Sequence, residues 1–376
     1  MKIDSVEAIV LRAPIETPVK TSFGTMHDRP AVVVRIRDAE GIVGWGEAWC
    51  NFPACGAEHR ARLVKTVLAP LLVGREIVDP AAEWRRLTEA TRILALQCGE
   101  PGPFAQAIAG VDIALWDLAA KHAGQPLWRM LSSDAPAEAR PAIRVYASGI
   151  NPDGAEELVA CKLEEGYQAF KLKVGFGPEI DLANLQALRR LIGPRGTLMA
   201  DANQAWDIDG ALKIVPRLRD FDLTWLEEPL AADAPAEDWE ALAKATPIPL
   251  AAGENLRGTE AFETAISAGI LSVIQPDVAK WGGISECISV ARRILQAGRV
   301  YCPHYLGGGI GLAASAHVLA AVGGPGMLEI DSNDNPLVRG LWPAMPQVSG
   351  GQISLPDTPG LGVEPDQAVF RMYQVE

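Results

Sequence analysis

The chain has 376 residues, 48% of them hydrophobic, and its 34 basic and 47 acidic side chains give a formal net charge of −13 at pH 7. This length exceeds the usual size of one compact core, so two domains are expected. The negative charge argues against nucleic acid as a partner, because phosphate backbones attract basic surfaces.

Membrane, secretory and disulfide-rich classes are also disfavoured. No apolar run approaches the length that spans a bilayer, and the first residues, Met1 to Asp4, predict a strand rather than a secretory signal, so a cytoplasmic protein is expected. The six cysteines form no CxxC pair, which argues against a disulfide framework or a structural zinc site. Cys50, Cys55 and His59 are the alternative zinc ligands, disfavoured because four closely spaced ligands are usual.

The first part of the chain predicts a small α+β domain over residues 1–133. Residues 1 to about 50 alternate in β fashion, as in the run Ala31 to Arg37, and a turn at 38–41 links two strands of an antiparallel meander. From 57 to about 130 the apolar spacing becomes helical.

A Pro- and Ala-rich stretch at 134–141 marks the predicted domain boundary. After it, strands near residues 145, 171, 199, 225, 250, 273, 301 and 328 alternate with helices, which is the strand number of a TIM barrel. The fold class is therefore α/β, with a modified (β/α)7β barrel over 134–334. The last helix is short of room, so we expect the tail 335–376 to return to the first domain.

Ionisable residues follow the predicted strands at intervals of 23 to 28 residues. They are Lys173, Asp201, Glu227, Glu254, Asp277, His304 and Glu329. Parallel strand ends meet in one mouth of a closed barrel, where these charges would repel one another unless a cation and a reaction used them.

Three consecutive strands end in carboxylates, Asp201, Glu227 and Glu254. Oxygen-rich sites of this kind suit Mg²⁺, which keeps positions open for water and substrate oxygen. The alternative is an ordinary solvated acid at each strand end. It does not explain why three successive strands each end in a carboxylate at the same position. Mg²⁺ is therefore the predicted cofactor.

Two kinds of base are predicted in the same mouth. Lys171 and Lys173 share one face of a strand, and burying like charges together should lower the pKa of at least one ammonium, as a lysine base requires. Asp277 beside His304 should fix the imidazole tautomer and stabilise its protonated form. The alternative is that Lys171 and Lys173 lie on an exposed strand and have no catalytic role.

Other polar residues have weaker predicted roles. Glu329, if protonated through a raised pKa, could donate a hydrogen bond to a developing enolate oxygen. Asn203 and, less securely, Tyr146 and Ser148 could bind substrate. A proton α to a carboxylate is barely acidic, and the predicted ion and bases are what its removal requires. Nicotinamide binding is disfavoured because the glycine runs near 175 and 307 do not form the dinucleotide fingerprint.

The sequence resembles the mandelate racemase branch of the enolase superfamily. The motifs that carry the resemblance are Lys171-Leu172-Lys173, Ala200 to Asn203, Leu226 to Pro229, Ala252 to Asn255, Gln275 to Asp277 with Gly282-Gly283, Pro303-His304, Leu328-Glu329, and, in the first domain, Gly44 to Glu47 and Asp112 to Asp117. They span nearly the whole chain, and they specify the branch far better than the substrate.

The resemblance implies roles for individual positions. It implies Asp201, Glu227 and Glu254 as magnesium ligands, Lys173 as one base assisted by Lys171, His304 with Asp277 as the other, and Glu329 as the acid facing the enolate. The muconate-lactonising branch would place a lysine where Asp277 stands. Lys280 comes three residues too late for that role and is expected to be structural. Glu254 departs from glucarate dehydratases, which tend to have asparagine there.

The resemblance also implies that loops near 17–29 and 49–55 of the capping domain choose the substrate. They offer Lys20, His27, Arg29, Trp49, Asn51 and Phe52, a mixture that suits a polyhydroxylated acid with a second anionic group. The leading hypothesis is an acid-sugar dehydratase or an enzyme acting on a sugar-acid lactone, similar to galactarolactone cycloisomerases. The alternatives are a racemase or epimerase of a 2-hydroxy acid and, remotely, a non-catalytic scaffold. The implied partner is a small carboxylate, and a homo-oligomer is expected.

Overall fold

A three-stranded antiparallel sheet precedes a barrel of parallel strands. The computed structural model describes residues 1–21, 24–132 and 141–375, and the side chain of Lys20 lies outside this description. The predicted domain boundary between 133 and 134 lies outside it as well. None of the helices in the described part is long and apolar enough to cross a membrane.

The N-terminal sheet consists of β1 (Ile3–Thr21), β2 (Gly24–Asp38) and β3 (Val43–Ala48), paired in that order. Strand β2 reads as a continuous apolar run because both of its faces are buried. Val32 and Val34 pack in a core shared with the N-terminal helices, whereas Val33 packs in the main core shared with the barrel. The alternation of the strand thus joins the two parts of the molecule.

Helices cover one face of this sheet. They are α1 (Gly56–Leu63), followed by a π-helical turn (Val64–Leu68), then α2 (Ala69–Leu72), α3 (Pro80–Gln97) and α4 (Pro101–His122). The short helix α5 (Leu127–Leu131) follows and packs in the main core. Helix α4 lies so close to β3 that a Cβ atom on Gly46 would come within 2.0 Å of the carbonyl oxygen of Gly110. Glycine at position 46 therefore permits this packing.

Eight parallel strands form the barrel and confirm the predicted fold class. They are β4 (Ala142–Ile150), β5 (Ala169–Lys173), β6 (Thr197–Asp201), β7 (Leu226–Glu227), β8 (Leu250–Ala252), β9 (Leu271–Ile274), β10 (Val300–Tyr301) and β11 (Met327–Asp331). Strand β11 pairs with β4, and the order continues in sequence to β10, so the barrel is nearly closed. Between β10 and β11, the backbone N–H of Met327 donates to Sγ of Cys302 at 3.4 Å.

In the described residues, seven helices connect the eight strands. They are α6 (Ala155–Glu164), α7 (Pro178–Ile192), α8 (Ile208–Leu218), α9 (Ala236–Ala245), α10 (Thr259–Ala268), α11 (Gly283–Gln296) and α12 (Gly309–Val322). The tail adds α13 (Pro336–Leu341), β12 (Gln352–Ser354), which pairs antiparallel with β4, and α14 (Gln367–Tyr373). Phe370 of α14 stacks on Trp45 of β3, with ring centroids 6.0 Å apart.

Buried carboxylates of the N-terminal part cap two barrel helices. Glu47 accepts hydrogen bonds from the backbone N–H groups of Gly308, at 2.6 Å, and Gly311, at 3.0 Å, where α12 begins. Asp112 accepts from the N–H of Ser285, at 3.0 Å, in the first turn of α11. Carboxylates are favoured at helix N-termini, so these contacts fix the capping sheet over the barrel mouth.

The barrel interior beneath the mouth is filled. One side chain from each strand or its immediate end contributes to this layer, which consists of Tyr146, Ala169, Met199, Trp225, Ala251, Val273, Cys302 and Met327. A packed layer of this kind is typical of TIM barrels and leaves the carboxyl ends of the strands as the place for a functional site.

Candidate active site

The strand ends bring the predicted charged residues together. Lys171 and Lys173 lie on β5, Asp201 and Glu227 end β6 and β7, and Glu329 lies within β11. The other three follow their strands in short loops: Glu254 after β8, Asp277 after β9 and His304 after β10. All eight side chains are at most 12% exposed.

Both lysines of β5 are tightly ion-paired. Nζ of Lys173 lies 2.6 Å from Oδ2 of Asp201 and also donates to Oδ1 of Asn203 at 2.6 Å. Nζ of Lys171 is bonded to Oε1 of Glu227 and lies 2.8 Å from Oε1 of Glu329. The two ammonium groups thus each have carboxylate partners.

These pairs overturn the expectation of a lowered lysine pKa. Burial by itself lowers the pKa of Lys173, but the charge of Asp201 outweighs that effect and the like charge of Lys171, so the pKa is raised. The pKa of Lys171 is likewise raised, because the charges of Glu227 and Glu329 outweigh burial. In this state the carboxylates stabilise both ammonium groups more than the two lysines destabilise each other.

Glu329 differs from its prediction in the same way. Burial raises the pKa of Glu329, yet the charges of Lys171 and His304 outweigh it, and the pKa is lowered rather than raised. Its Oε1 also accepts a hydrogen bond of 2.5 Å from Ser148, and its Oε2 accepts from the N–H of Tyr305 at 3.0 Å. Glu329 is therefore an ionised acceptor here, not a protonated donor.

His304 is held between carboxylates. Its Nδ1 lies 2.7 Å from Oδ2 of Asp277, and its Nε2 contacts Oε2 of Glu254 and lies 3.9 Å from Oε2 of Glu329. Burial lowers the pKa of His304, but the charges of Glu254 and Glu329 and the hydrogen bond that Nδ1 donates to Asp277 outweigh it, so the pKa is raised well above its usual value. The predicted contact between Asp277 and the imidazole is present.

Around the predicted metal ligands, buried carboxyl groups outnumber buried basic side chains. Within the described mouth, the carboxyl groups of Asp201, Glu227, Glu228, Glu254, Asp277 and Glu329 face three lysines and one histidine. Burial and the charges of Glu254 and Asp201 raise the pKa of Glu228 to about 8, and its Oε2 has no hydrogen-bond partner among the described residues. Burial raises the pKa of Glu227 to about 7, with Lys171 opposing and Asp201 reinforcing the rise.

This charge balance fits a bound divalent cation, which would offset the excess and supply a partner for hard oxygen donors. The ligand oxygens of Asp201, Glu227 and Glu254 do not all lie within 4.8 Å of one another among the described residues. An ammonium or imidazole group lies against each of these three carboxylates. Among the described residues, the one cluster of acidic and histidine ligand atoms within 4.8 Å is Asp38, Glu40 and His122 in the capping domain. In that cluster Asp38 is bonded to His122 and to the turn amides of Glu40 and Ile42, so its atoms are already used.

A cavity of about 250 Å³ opens over the mouth. Its floor includes Lys173, Glu254 and His304, and its walls are mixed. Apolar wall residues are Val19, Met26, Trp49, Phe52 and Leu306, and carboxamide residues are Asn51, Asn151, Asn203, Gln204, Asn255 and Asn333. The capping loop after β3 closes one side, since the N–H of Trp49 donates to the carbonyl of Ala279 at 3.2 Å.

Not all of the predicted substrate-binding residues line the cavity. Asn203 lines the cavity. His27 is exposed on β2, and the cavity is lined instead by its neighbour Met26, which points to the other face of the strand. Tyr146 is fully buried beneath the mouth, with its ring centre 5.5 Å from Nζ of Lys171, so it contacts the lysine rather than the cavity. The side chain of Lys20 lies outside the described residues.

Several cavity residues were not predicted to act there. Lys280 lines the cavity, with Nζ 3.0 Å from Oδ1 of Asn255, 3.5 Å from Oε1 of Glu254 and 4.7 Å from the ring centre of Trp49. Asp331 pairs there with Arg29.

The alternative zinc ligands Cys50, Cys55 and His59 form no metal-binding cluster among the described residues.

Comparisons with known proteins agree with this geometry. Residues 5–132 match the model of the mandelate racemase / muconate lactonizing enzyme N-terminal domain, and residues 154–369 match that of the enolase C-terminal domain-like family. The D-galactarolactone cycloisomerase of Agrobacterium fabrum is 31% identical over 380 residues, covering 97% of this chain and 96% of that protein. Other relatives have names that describe acid-sugar dehydratases and amino-acid racemases.

Solved structures match over the full length. A mandelate racemase/muconate lactonizing enzyme from Bordetella bronchiseptica is 54% identical, with a TM-score of 0.90 and 99% of each chain covered. A racemase from Streptomyces coelicolor with bound magnesium is 28% identical, with a TM-score of 0.88 and coverage of 99% of this chain and all of that one.

Proposed function

Because the chain belongs to the mandelate racemase/muconate lactonizing enzyme family of the enolase superfamily, and is thus an enzyme of lyase or isomerase type, we propose that it removes the proton α to the carboxylate of an acid sugar. The outcome is dehydration or cycloisomerisation of a lactone. The observation that carries the proposal is that Lys173 and His304, which come from well-separated strands, line one cavity together with Glu254.

Magnesium is the cofactor in this proposal, and Asp201, Glu227 and Glu254 are its ligands. When bound, the ion supplies the positive charge that stabilises an enediolate. The buried excess of carboxylates and the unpartnered Oε2 of Glu228 support a cation at this place. The magnesium-bound relative from Streptomyces coelicolor supports the choice of metal.

Lys173 acts as the base. Its Nζ lies 2.6 Å from Oδ2 of Asp201, whereas Nζ of Lys171 is 3.4 Å from the same oxygen. The raised pKa of Lys173 therefore depends on the negative charge of Asp201. If Asp201 were engaged as a metal ligand, it would stabilise the ammonium less, so the pKa of Lys173 would fall and its neutral amine could accept the α-proton. Lys171, bonded to Glu227 and Glu329, keeps a fixed positive charge beside the reacting carboxylate.

His304 acts on the other face. Asp277 accepts the hydrogen bond from Nδ1, so Nε2 is the nitrogen that exchanges a proton with substrate. In a dehydration, Nε2–H passes its proton to the β-hydroxyl, the C–O bond breaks with its electron pair, and water leaves. In a racemisation, the same Nε2–H returns a proton to the α-carbon. The second candidate function, a 2-hydroxy-acid racemase, therefore uses the same residues, and the relatives named racemases favour keeping it.

Incubation with Mg²⁺ and a library of aldonates, aldarates and their lactones in deuterated water tests the proposal. Formation of a keto acid identifies the lyase, conversion of a lactone identifies the cycloisomerase, and deuterium in recovered substrate with inversion identifies the racemase. Mass spectrometry and proton NMR measure all three. Absence of every one of these products across the library contradicts the proposal.

A further inference from the structure

Every described cationic side chain that lines the cavity is paired with a carboxylate. The pairs are Arg29 with Asp331, Lys173 with Asp201 at 2.6 Å, Lys280 with Glu254 at 3.5 Å and His304 with Asp277 at 2.7 Å. A substrate carboxylate is attracted where positive charge exceeds negative charge. Away from the proposed metal site, none of these side chains offers a positive charge that exceeds the negative charge beside it.

Arg29 and Asp331 form the pair farthest along the chain from the metal ligands, joining β2 of the capping sheet to the end of β11. Their side chains are 3% and 4% exposed, so solvent screens the pair little. Oδ1 of Asp331 accepts from the N–H of Asn333 at 3.0 Å and from its Nδ2 at 2.9 Å. Both oxygens of Asp331 are thus used, and the pair is fixed and neutral overall.

The neighbouring carboxamides favour hydroxyl groups. Nδ2 of Asn151 donates to Oδ1 of Asn333 at 3.1 Å, and Nδ2 of Asn333 donates to the carbonyl of Gly149 at 2.9 Å. Oδ1 of Asn151 is buried without a hydrogen-bond partner among the described residues. An acceptor oxygen can receive a hydrogen bond from a hydroxyl, whereas a carboxylate has no proton to give it.

We propose that this end of the cavity selects a substrate with a single carboxylate and an uncharged, hydroxylated tail, and that the Arg29–Asp331 pair excludes a second carboxylate. This rests on the proposed function and replaces the sequence-based expectation of a second anionic group. A dianionic aldarate would have to bury one carboxylate against a cation that Asp331 already neutralises, at a cost in desolvation. An aldonate or a lactone with one free carboxylate avoids that cost.

Matched pairs of acids test the inference. The wild-type magnesium enzyme and variants would be assayed with D-galactonate against galactarate and D-gluconate against D-glucarate, and with galactarate against its lactone, for kcat/KM and for binding by calorimetry. The informative variants are Asp331→Asn, which leaves Arg29 uncompensated, and Arg29→Gln, which leaves Asp331 uncompensated. Asp357→Asn is the matched control, because it removes an Asp–Arg pair that is exposed and lies outside the cavity lining.

We expect wild type to favour the monoacid of each bound pair at least tenfold. Asp331→Asn shifts that ratio toward the diacid about tenfold or more, Arg29→Gln shifts it the other way or leaves the diacid undetectable, and Asp357→Asn leaves it unchanged. Because the two informative variants predict opposite directions, loss of folding in one leaves the other decisive. A wild type that prefers diacids, or an unchanged ratio in a folded Asp331→Asn, overturns the inference alone. If no acid of the set is either bound or turned over, the proposed function is overturned, and this inference is overturned with it.

Discussion

Nζ of Lys173 lies 2.6 Å from Oδ2 of Asp201, so the proposed base and a proposed metal ligand are bonded to each other. The ammonium and a divalent ion therefore compete for the same carboxylate. Replacement of Lys173 by methionine should reduce turnover about a thousandfold, as expected for loss of a general base. It should at the same time leave Mg²⁺ binding as tight as in wild type or tighter.

Steady-state kinetics and calorimetric titration with Mg²⁺ separate these two effects. Lys244→Met is the control, since Lys244 is 78% exposed and pairs with Glu240 on the outside of α9. Weaker Mg²⁺ binding in Lys173→Met than in the control would show that the lysine supports the metal site rather than competes with it.

The hydrogen bond between Asp277 and His304 makes a separate prediction. Because that bond contributes to the raised pKa of His304, Asp277→Asn should lower the pKa of the imidazole. A smaller fraction of His304 is then protonated at neutral pH, so the alkaline limb of the pH–rate profile should move to lower pH. Turnover should fall about 10- to 100-fold, as for other partners that orient a functional side chain. A profile that keeps its alkaline limb in place contradicts the assignment.

Removal of a predicted metal ligand should weaken Mg²⁺ binding. Asp201→Asn, Glu227→Gln and Glu254→Gln each delete a negative charge, and even outer-shell partners of metal ligands contribute about 10- to 100-fold to affinity. We therefore expect calorimetry to show that the Mg²⁺ affinity of each variant is lower than that of wild type by more than about a hundredfold. Glu240→Gln, an exposed change on α9, should bind normally. Three variants with wild-type affinity would place the ion elsewhere.

Much of the fold and the charged set followed from sequence periodicity. Each apolar run before Asp201, Glu227 or Glu254 has the length of a short buried strand rather than of a helix, and the regular spacing of these runs indicates a strand–helix repeat. Strand direction then decides that the residues after the runs share one mouth. This reasoning needs no knowledge of side-chain contacts.

Glu228 was missed because its backbone departs from the strand rule. Adjacent strand residues point to opposite faces, so a residue next to Glu227 is expected to point away from the mouth. Strand β7 ends at Glu227, however, and Glu228 has a φ of 39°, in the left-handed region that non-glycine residues rarely adopt. This turn keeps its carboxyl group close enough for the charges of Glu254 and Asp201 to raise its pKa.

Lys280 and Tyr146 show two further limits. Lys280 returns to the mouth through a turn after β9, in which its N–H donates to the carbonyl of Asp277 at 3.2 Å, and strand spacing cannot anticipate such a turn. Tyr146, which was predicted to bind substrate, shares the inward face of β4 with Ser148 but lies one layer deeper, among the side chains that fill the barrel. Depth along a strand depends on the stagger of the barrel, which the sequence of one strand does not specify.

His317 provides a test of how the tail is attached. Its Nδ1 accepts a hydrogen bond from the N–H of Trp128 at 3.0 Å, and its Nε2 donates to the carbonyl of Leu361 at 3.2 Å, so the neutral imidazole joins α5 to the tail. Burial lowers its pKa from 6.5 to about 4. Below pH 6.5 the unfolded chain therefore binds a proton that the folded protein does not, and the free energy of unfolding falls as the pH decreases toward 4.

At about 1.4 kcal/mol per pKa unit, this difference amounts to about 3 kcal/mol between pH 7 and pH 4. His317→Gln cannot titrate, so it should lose less stability over that interval than wild type does, by about the same amount, although it starts from a lower value at pH 7. Urea unfolding at intervals from pH 4 to 8 measures both curves. Other titrating groups contribute equally to the two proteins, so parallel curves would mean that the pKa of His317 is the same in the folded and the unfolded protein, contrary to this prediction.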